Sequence, residues 1–506
     1  MAFTVPKEPF FHLHFFDGRR TTITASKKFD VFEPRIGKVV AECPISNVEH
    51  VDKVVCAASD AQPQWAAKTP LERGKVLKKA ADIIREHKEE LAYWEVRGNG
   101  KPIYEARADI ESSADTFDFY GGIAPAALQG SHIEVPGGPE QRFVYTRREP
   151  IGVVAGIGAW NYPFQTAAWK IGPALAAGNA VVYKPSPFAP MSAVFIAEIL
   201  IAAGLPPNVL NIVQGEAETG EALTLHEKIM KVTFTGSVAT GRLIQMNAAK
   251  RNIKPITLEL GGKSPLIIFE DARIDNAISA AMIANFFNQG EVCCNGTRVF
   301  VQRGLVERFS KRIVEEVGSK LTVGDPLKEE TRVGATINEG HLNRVLAYIE
   351  SAREEVSFKF SKGAEVLIGG QRLHPKGVES GFYLAPAVIS NLNDNMKVVC
   401  EEIFGAVMLI LPFDTEDEVV QRANATQYGL AAGIISSDLG KAHRVAARLQ
   451  AGTVYINTYN DTEVDVPFGG CKNSGYGREN SIEALQSFTQ TKAIYVNVSQ
   501  KIENSF

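Results

Sequence analysis

A thiol in a glycine-flanked turn is the first group in this chain that could do covalent chemistry. Cys293 stands in Phe286-Phe287-Asn288-Gln289-Gly290-Glu291-Val292-Cys293-Cys294-Asn295-Gly296-Thr297-Arg298, with Gly290 before it and Gly296 after it. Small residues let another molecule approach the main chain at such a place. A thiolate held there can attack a carbonyl carbon, and neighbouring amide N–H groups can hold the oxyanion that forms. The same window also describes a buried structural cysteine, a common fate of free Cys. Taken alone, it does not separate the two.

Other segments, each at or just past the end of an apolar run, supply partners for a thiol. In Gly158-Ala159-Trp160-Asn161-Tyr162-Pro163, Asn161 is an uncharged amide donor where a helix should begin; it suits an oxyanion, or equally a helix cap. Gly156-x-Gly158 lacks the third glycine of a dinucleotide fingerprint. Lys184, in Lys184-Pro185-Ser186-Pro187, leaves a strand where a nucleotide ribose could sit, or is a solvated lysine. Phe234-Thr235-Gly236-Ser237-Val238-Ala239-Thr240-Gly241 reads as strand, glycine turn and helix start, whose free amides attract a pyrophosphate. It is no Walker loop, because Arg242 follows Gly241; Gly261-Gly262-Lys263-Ser264 fails too, with Thr257 at the first glycine position. Glu259, in Leu258-Glu259-Leu260-Gly261-Gly262, is a carboxylate closing a buried strand, either ion-paired or raised in pKa as a general base. Oxidation of an aldehyde through cysteine needs a nucleophile, an oxyanion donor, a nicotinamide site and a base for water. Cys293, Asn161, the Lys184 and Gly236 segments, and Glu259 match these in type.

The surrounding elements must bring those residues together. At 506 residues, 45% apolar and 22% charged, the chain is a globular protein of roughly two or three domains. A net charge of −4 gives no electrostatic case for nucleic acid or an anionic membrane, and no apolar run is long enough to span a bilayer. Six scattered cysteines without a CxxC pair suggest neither a disulfide scaffold nor a metal site, and the expected compartment is the cytosol. Residues 1 to about 60 read as short strands and turns, broken at Arg35-Ile36-Gly37. A helix opens at Thr69-Pro70-Leu71-Glu72, a capping box with proline at the first turn, and runs to Gly98–Gly100. Ile133-Glu134-Val135 and Phe143-Val144-Tyr145 flank a Pro-Gly-rich turn as a hairpin, and Ala493–Val498 is a late strand; both suit pairing between subunits. From 151 to 260, apolar strands at 151–157, 180–183, 209–213, 231–234 and 256–260 alternate with helices at 164–177 and 192–203. That rhythm means a parallel α/β sheet, which binds ligands at the carboxyl ends of its strands. It resumes with a strand at 266–269, a helix at 274–287 and a strand at 298–301, and Leu342, Val345, Leu346 and Ile349 mark a further helix.

The motifs together resemble the aldehyde dehydrogenases over nearly the whole chain. Trp160-Asn161-Tyr162-Pro163, Lys184-Pro185-Ser186, Phe234-Thr235-Gly236-Ser237, Leu258–Lys263, Glu401-Glu402-Ile403-Phe404-Gly405 and Pro467-Phe468-Gly469-Gly470 occur in the family's order. Tyr145–Pro150 and Val292–Gln302 resemble the branch that acts on trimethylamino-aldehydes. The resemblance implies a Rossmann-like cofactor domain over 1–129 and 151–262, an α/β catalytic domain over 263–475, and oligomerisation strands in 130–150 and 485–500 of a homotetramer. It implies Cys293 as nucleophile, Asn161 and the Cys293 amide as oxyanion holders, Glu259 as base and Glu479 in proton relay. Trp160, Lys184, Gly236, Ser237, Gly241, Glu402 and Phe404 would hold NAD, and Tyr162, Trp169, Phe287 and Phe468 would line the aldehyde tunnel. The implied reaction is NAD-dependent oxidation of an amino- or trimethylamino-aldehyde, betaine aldehyde among them, to its acid.

Five departures bear on that expectation. Glu291 replaces the usual Gln two residues before the nucleophile, and a carboxylate there would disfavour a thiolate unless it points away or is paired. Ala406 stands in place of a usual Pro and Cys471 in place of an aromatic, while residues 356–360 form an unexplained insertion. Pro187 occupies a position where many NAD-preferring members carry a ribose-binding Glu, which leaves NADP open. Two other readings stay open: a dehydrogenase of broad aliphatic and aromatic aldehyde range, and a non-catalytic protein on the same fold. The absence of His near Cys293 in sequence counts against a cysteine hydrolase.

Overall fold

The computed structural model describes residues 3–8, 10, 12–355, 363–499, 501–502 and 506. Its larger sheet has eight strands, and the parallel centre is Leu210–Ile212, Ala180–Lys184, Val153–Ile157, Ile229–Thr235 and Ile256–Glu259, in that order. Every residue of Val153–Ile157 and Ala180–Lys184 is buried, as expected of strands covered on both faces. Val153–Ile157 comes first in the chain, and the order then grows outward on both of its sides. The reversal makes a crevice between its carboxyl end and that of Ile229–Thr235. Asn161 follows one of these strands and Gly236 the other. The antiparallel pair His14–Phe16 and Arg19–Thr21 closes one edge of the sheet, and Gly475–Tyr476 closes the other against Ile256–Glu259.

A second sheet of seven strands runs in the order Glu365–Ile368, Ala387–Ser390, Val407–Phe413, Arg298–Gln302, Pro265–Ile268, Ala431–Ile435 and Thr453–Ile456. All its neighbours are parallel except the first pair. Its core of Leu266, Ile267, Val299, Phe300, Leu409 and Ile434 is separate from the cores of the first sheet. At roughly 1.5–3 kcal/mol for each fully buried aliphatic or aromatic side chain, these cores hold the two units together. Arg142–Pro150 pairs with His132–Glu134 and with Thr489–Asn497 in a third, three-stranded sheet.

Most of the expected elements form: the capping box at Thr69, the helix Ser192–Ala203 ending at left-handed Gly204, and the helices Pro163–Ala176 and Glu339–Glu354. Four features differ. Residues 48–60 are not strand and turn but part of the helix Val48–Ala66, in which Asn47 accepts from His50 N and Val51, Val54, Val55 and Ala58 form the buried face. The helix expected from Thr69 to Gly100 is two, Pro70–Glu86 and Lys88–Asn99, broken at His87. Helix Ile103–Ala127 lies beyond any expected element and packs against Pro70–Glu86 and Pro163–Ala176. The late strand begins at Thr489; residues before it finish the helix Ser481–Ser487, whose Ala484 and Leu485 join the core of the first unit. The insertion at 356–360 lies outside the described residues.

Tyr459, just past the last strand of the second sheet, ties that sheet to the cysteine segment. Its hydroxyl donates to the Cys294 carbonyl at 2.8 Å. A Cβ at Gly433 would come within 2.6 Å of the Tyr459 ring, and one at Gly296 within 2.8 Å of its hydroxyl, so only glycine leaves room for the ring. Tyr459→Phe is expected to lower stability by about 1–3 kcal/mol by orphaning a buried carbonyl. Chemical denaturation reads this, and an unchanged midpoint would mean that another donor takes over the carbonyl.

Candidate active site

The cysteine segment follows the helix Ile274–Phe286 through a turn in which Asn288, Gln289 and Gly290 have φ of 48°, 42° and 76°. Gly290 is required there, because a Cβ would collide with the Gly405 and Ala406 backbone. The turn delivers two unlike thiols. Cys294 is buried with Sγ toward Asn460 Oδ1 at 3.4 Å, whereas Cys293 is half-buried. Contact with the Cys294 thiol, then burial, then the Glu259 and Glu402 carboxylates push the Cys293 thiol well above its ordinary range. Glu291 is not among these causes. It is wholly buried, and Ile337 N donates to its Oε1 at 3.2 Å, so the carboxyl points away from the thiol.

One short segment carries Glu259 and supports the cysteine turn. Glu259 ends the strand Ile256–Glu259, and Gly261-Gly262 cross to the second sheet. Gly262 lies so close to the Cys293 carbonyl that a Cβ would strike it, and one at Gly261 would strike the Glu402 carboxylate. Gly262 N donates to Glu402 Oε1 at 3.0 Å. Both Glu259 carboxyl oxygens are buried without a hydrogen-bond partner among the described residues. Burial first, then Glu479, pushes this carboxyl well above its usual range. Gly469 covers it, since a Cβ there would stand 2.7 Å from Glu259 Oε1. Glu479 is ion-paired with Lys170 and accepts from the Thr233 hydroxyl at 3.2 Å; Lys170 Nζ also donates to Thr233 Oγ1 at 3.2 Å.

Asn161 is not a helix cap: the residue capping Pro163–Ala176 is Tyr162, with no side-chain bond. Asn161 Nδ2 donates to the Glu291 carbonyl at 3.0 Å, and Asn288 Nδ2 donates to the Asn161 carbonyl at 3.0 Å. The oxyanion candidate is therefore bonded directly to the turn before Cys293. Its second amide hydrogen is the one left for an oxyanion.

The residues expected at a cofactor ring the strand ends. Ser237 caps the helix Val238–Ala248, accepting from Thr240 N, and is exposed. Gly241 lets that helix press onto Leu260, which stands 2.7 Å from where its Cβ would be. Lys184 is buried, with Nζ donating to the carbonyls of Pro185 at 3.0 Å and Gly215 at 2.6 Å, and burial lowers its pKa to about 8. Phe404 has φ of 62° and meets Trp160 edge-on at 5.2 Å, with His341 packed against both rings. Gly156-x-Gly158 has a packing explanation instead: the Tyr183 side chain fills the space that side chains there would need.

The expected tunnel residues fall into two groups. Trp169 and Phe468 pack with centroids 5.5 Å apart, and Phe287 is half-buried against the second core. Tyr162 is different. Lys101 Nζ lies 4.0 Å from its ring centroid, and the phenol is pushed up by burial, then by the Asp109 and Glu105 carboxylates, then by both thiols. Lys101 is ion-paired with Asp109, and Glu105 accepts from Asn288 N at 2.8 Å. Lys170, Lys101, Glu105, Asp109 and Thr233 were missed from the sequence. A signal existed for Lys170, the one charge in an apolar helical run, and for Glu105 and Asp109, which share a helix face with Ala106 and Ile110.

Among the described residues, Asp52, Cys56 and His226 come close enough to hold a metal ion. Lys228 already serves that corner, with Nζ 3.3 Å from Cys56 Sγ and its main-chain N–H donating to His226 Nδ1 at 3.1 Å. No helix among the described residues is long and apolar enough to cross a membrane.

The chain is 49% identical over 505 residues to 4-trimethylaminobutyraldehyde dehydrogenase A of Danio rerio, covering 99% of this chain and 96% of that protein. It is 49% identical over 484 residues to human 4-trimethylaminobutyraldehyde dehydrogenase, covering 95% of each. Among solved structures, betaine aldehyde dehydrogenase from Staphylococcus aureus in complex with NAD+ superposes with a TM-score of 0.91 at 34% identity, covering 97% of this chain and 96% of that one. A putative aldehyde dehydrogenase from Burkholderia cenocepacia superposes with a TM-score of 0.92 at 39% identity, covering 97% and 99%. Residues 22–494 match the aldehyde dehydrogenase family over most of the chain's length, and the chain belongs to that family of enzymes.

Proposed function

We propose that this enzyme oxidises 4-trimethylaminobutyraldehyde, or a closely related amino-aldehyde, to its acid with NAD as acceptor. Residues 1–129 and 151–262 serve as the cofactor domain, 263–475 as the catalytic domain, and 130–150 with the strand Thr489–Asn497 as the subunit contact. The donor set fits a dinucleotide. The free amides after Ser237 suit the pyrophosphate, Lys184 and Glu402 suit ribose hydroxyls, and the Trp160–Phe404 pair suits a flat ring. Bound nicotinamide would supply the acceptor for the hydride leaving the substrate carbon. Pro187 leaves its loop without a carboxylate to repel a 2′-phosphate, so rates with NAD and NADP decide the preference.

In this reading the Cys293 thiol gives its proton to water as Sγ attacks the aldehyde carbon, forming a thiohemiacetal. Its oxyanion is held by the free Asn161 amide hydrogen and the Cys293 N–H. After oxidation to the thioester, Glu259 takes a proton from the water that attacks it. The Lys170–Glu479 pair behind Glu259 tunes that carboxyl. The substrate assignment rests on Tyr162: one of its faces already carries an ammonium group, and Glu95, Glu105 and Asp109 are buried near that single lysine. Aromatic faces backed by buried acids favour a cationic aldehyde end. The names of the relatives at 49% identity agree. The runner-up is a broad-range dehydrogenase, favoured by the apolar Trp169–Phe468 pair. All six cysteines are unpaired, which suits the cytosol.

Purified enzyme should reduce NAD with 4-trimethylaminobutyraldehyde and lose this with Cys293→Ala; kcat/KM no higher than for hexanal would favour the runner-up. Glu259→Gln should lower turnover by about 10²–10³-fold at the deacylation step. The wild-type rate should rise with pH as the raised Glu259 carboxyl ionises, and the variant should lack that rise. The sign reverses for stability. A carboxyl whose folded pKa lies above its unfolded one weakens the fold as pH climbs past the unfolded value, so Glu259→Gln should gain stability over wild type toward alkaline pH. Equal pH dependence in the two proteins would remove Glu259 as the base. The three-stranded sheet exposes Ile133 and Tyr495, with Val498 exposed just past its last strand, and sedimentation should find a homotetramer that Tyr495→Asp weakens; a wild-type monomer would refute the subunit contact.

A further inference from the structure

Glu291 is joined to every part of the turn that precedes the nucleophile. Ile337 N donates to its Oε1 at 3.2 Å, and Gln289 Nε2 donates to its Oε2 at 3.1 Å. Its carbonyl accepts from Asn161 Nδ2 at 3.0 Å and from Asn288 Nδ2 at 3.1 Å, and its N–H donates to the Asn288 carbonyl at 2.8 Å. Non-glycine residues with φ near those of Asn288 and Gln289 cost about 1–3 kcal/mol each and persist only where the surroundings over-determine them. Glu291 supplies much of that determination.

Among the described residues, the charge around it leaves the carboxyl no ionic partner. On the helix Glu339–Glu354, His341 Nε2 is 3.6 Å away, but it donates to the Phe404 carbonyl at 2.6 Å, and burial lowers its pKa to about 4. Arg344 of the same helix acts only at longer range. On the side of helix Ile103–Ala127, Lys101 is committed to Asp109, and Glu105 is another buried acid. Burial pushes the Glu291 carboxyl up to about 8. An isolated buried carboxylate is avoided by keeping the proton.

We propose that Glu291 is a positioning residue that works as a neutral carboxylic acid, doing an amide's task of locking turn 288–290 and so aiming Asn161 and Cys293. It touches no reacting atom. Loss of its proton sets an unpaired charge in the turn and loosens it. The inference rests on the roles proposed for Asn161 and Cys293.

The test compares full-length wild type, Glu291→Gln and Glu291→Ala between about pH 6 and about pH 9.5. Two quantities are read: kcat and KM for the aldehyde, and the rate of Cys293 alkylation by iodoacetamide without cofactor or substrate. Glu291→Gln should keep kcat within about threefold of wild type at neutral pH, and the wild-type to Gln ratio should fall by about fivefold or more above pH 8, in turnover and in alkylation alike. Glu291→Ala should lose about tenfold or more in kcat with KM within about threefold, since an oxyanion contact acts in the transition state. A ratio flat with pH, or Glu291→Gln falling as far as Glu291→Ala at neutral pH, would overturn the proposal. Should the alanine variant not fold, the glutamine ratio still decides. A wild type alkylated at Cys293 yet inactive on aldehydes sinks the proposed function instead, while the alkylation ratio still reads the turn.

Discussion

Burying Glu259 and Glu479 close to one another is unfavourable unless a cation is buried with them, and Lys170 is that cation. The arrangement is lopsided. Lys170 is paired to Glu479 and leaves Glu259 without a hydrogen bond of its own. The pair holds Glu479 in place, and Glu479 in turn raises Glu259. Burial and Glu479 outweigh the pull of Lys170 and Arg478 on the Glu259 charge, and a carboxyl raised in this way is, once ionised, the stronger base toward water. Replacing Lys170 with an apolar residue would take the buried cation from both carboxyls at once.

That cluster exists only because the chain returns late to its first sheet. Gly475–Tyr476 adds to the edge beside Ile256–Glu259, and the bridge between Phe468 and Glu479 sets Phe468 next to the acid cluster. The glycines on this path are there for contact more than for flexibility. Gly469 makes room for Glu259, and Gly262 for the Cys293 carbonyl. A chain segment joining two sheets thus becomes the floor of the site. The same close packing makes the site sensitive to any side chain added along it.

Much of this was legible beforehand, because strands buried on both faces and helices with one apolar stripe leave periodic traces. The capping box at Thr69 and the left-handed glycine at Gly204 marked boundaries within a residue. The helix Val48–Ala66 was missed although its apolar spacing is helical, because β-branched valines resemble strand residues. His87 broke an expected single helix without any Gly or Pro to announce it. Cys293 stood out as a thiol in a glycine-flanked turn, and Asn161 and Glu259 as an amide and a carboxylate at or just past strand ends. Lys170, the one charge in its apolar helical run, and Asp109, one of several charges on its helix, left fainter signals, since a polar residue reads the same whether it is buried with a partner or reaches solvent.

The sequence by itself determined which residue types could make a site, the alternation that builds parallel sheets, and the order of motifs shared with the family. Only the tertiary structure decided which groups meet. It turned Glu291 away from Cys293 and bonded Asn161 to the turn before the thiol, and it set Lys170 against Glu479 rather than Glu259. The physical reason is that periodicity records burial one residue at a time. The strength of a charge or hydrogen bond in a dry interior depends instead on distances between groups far apart in the chain.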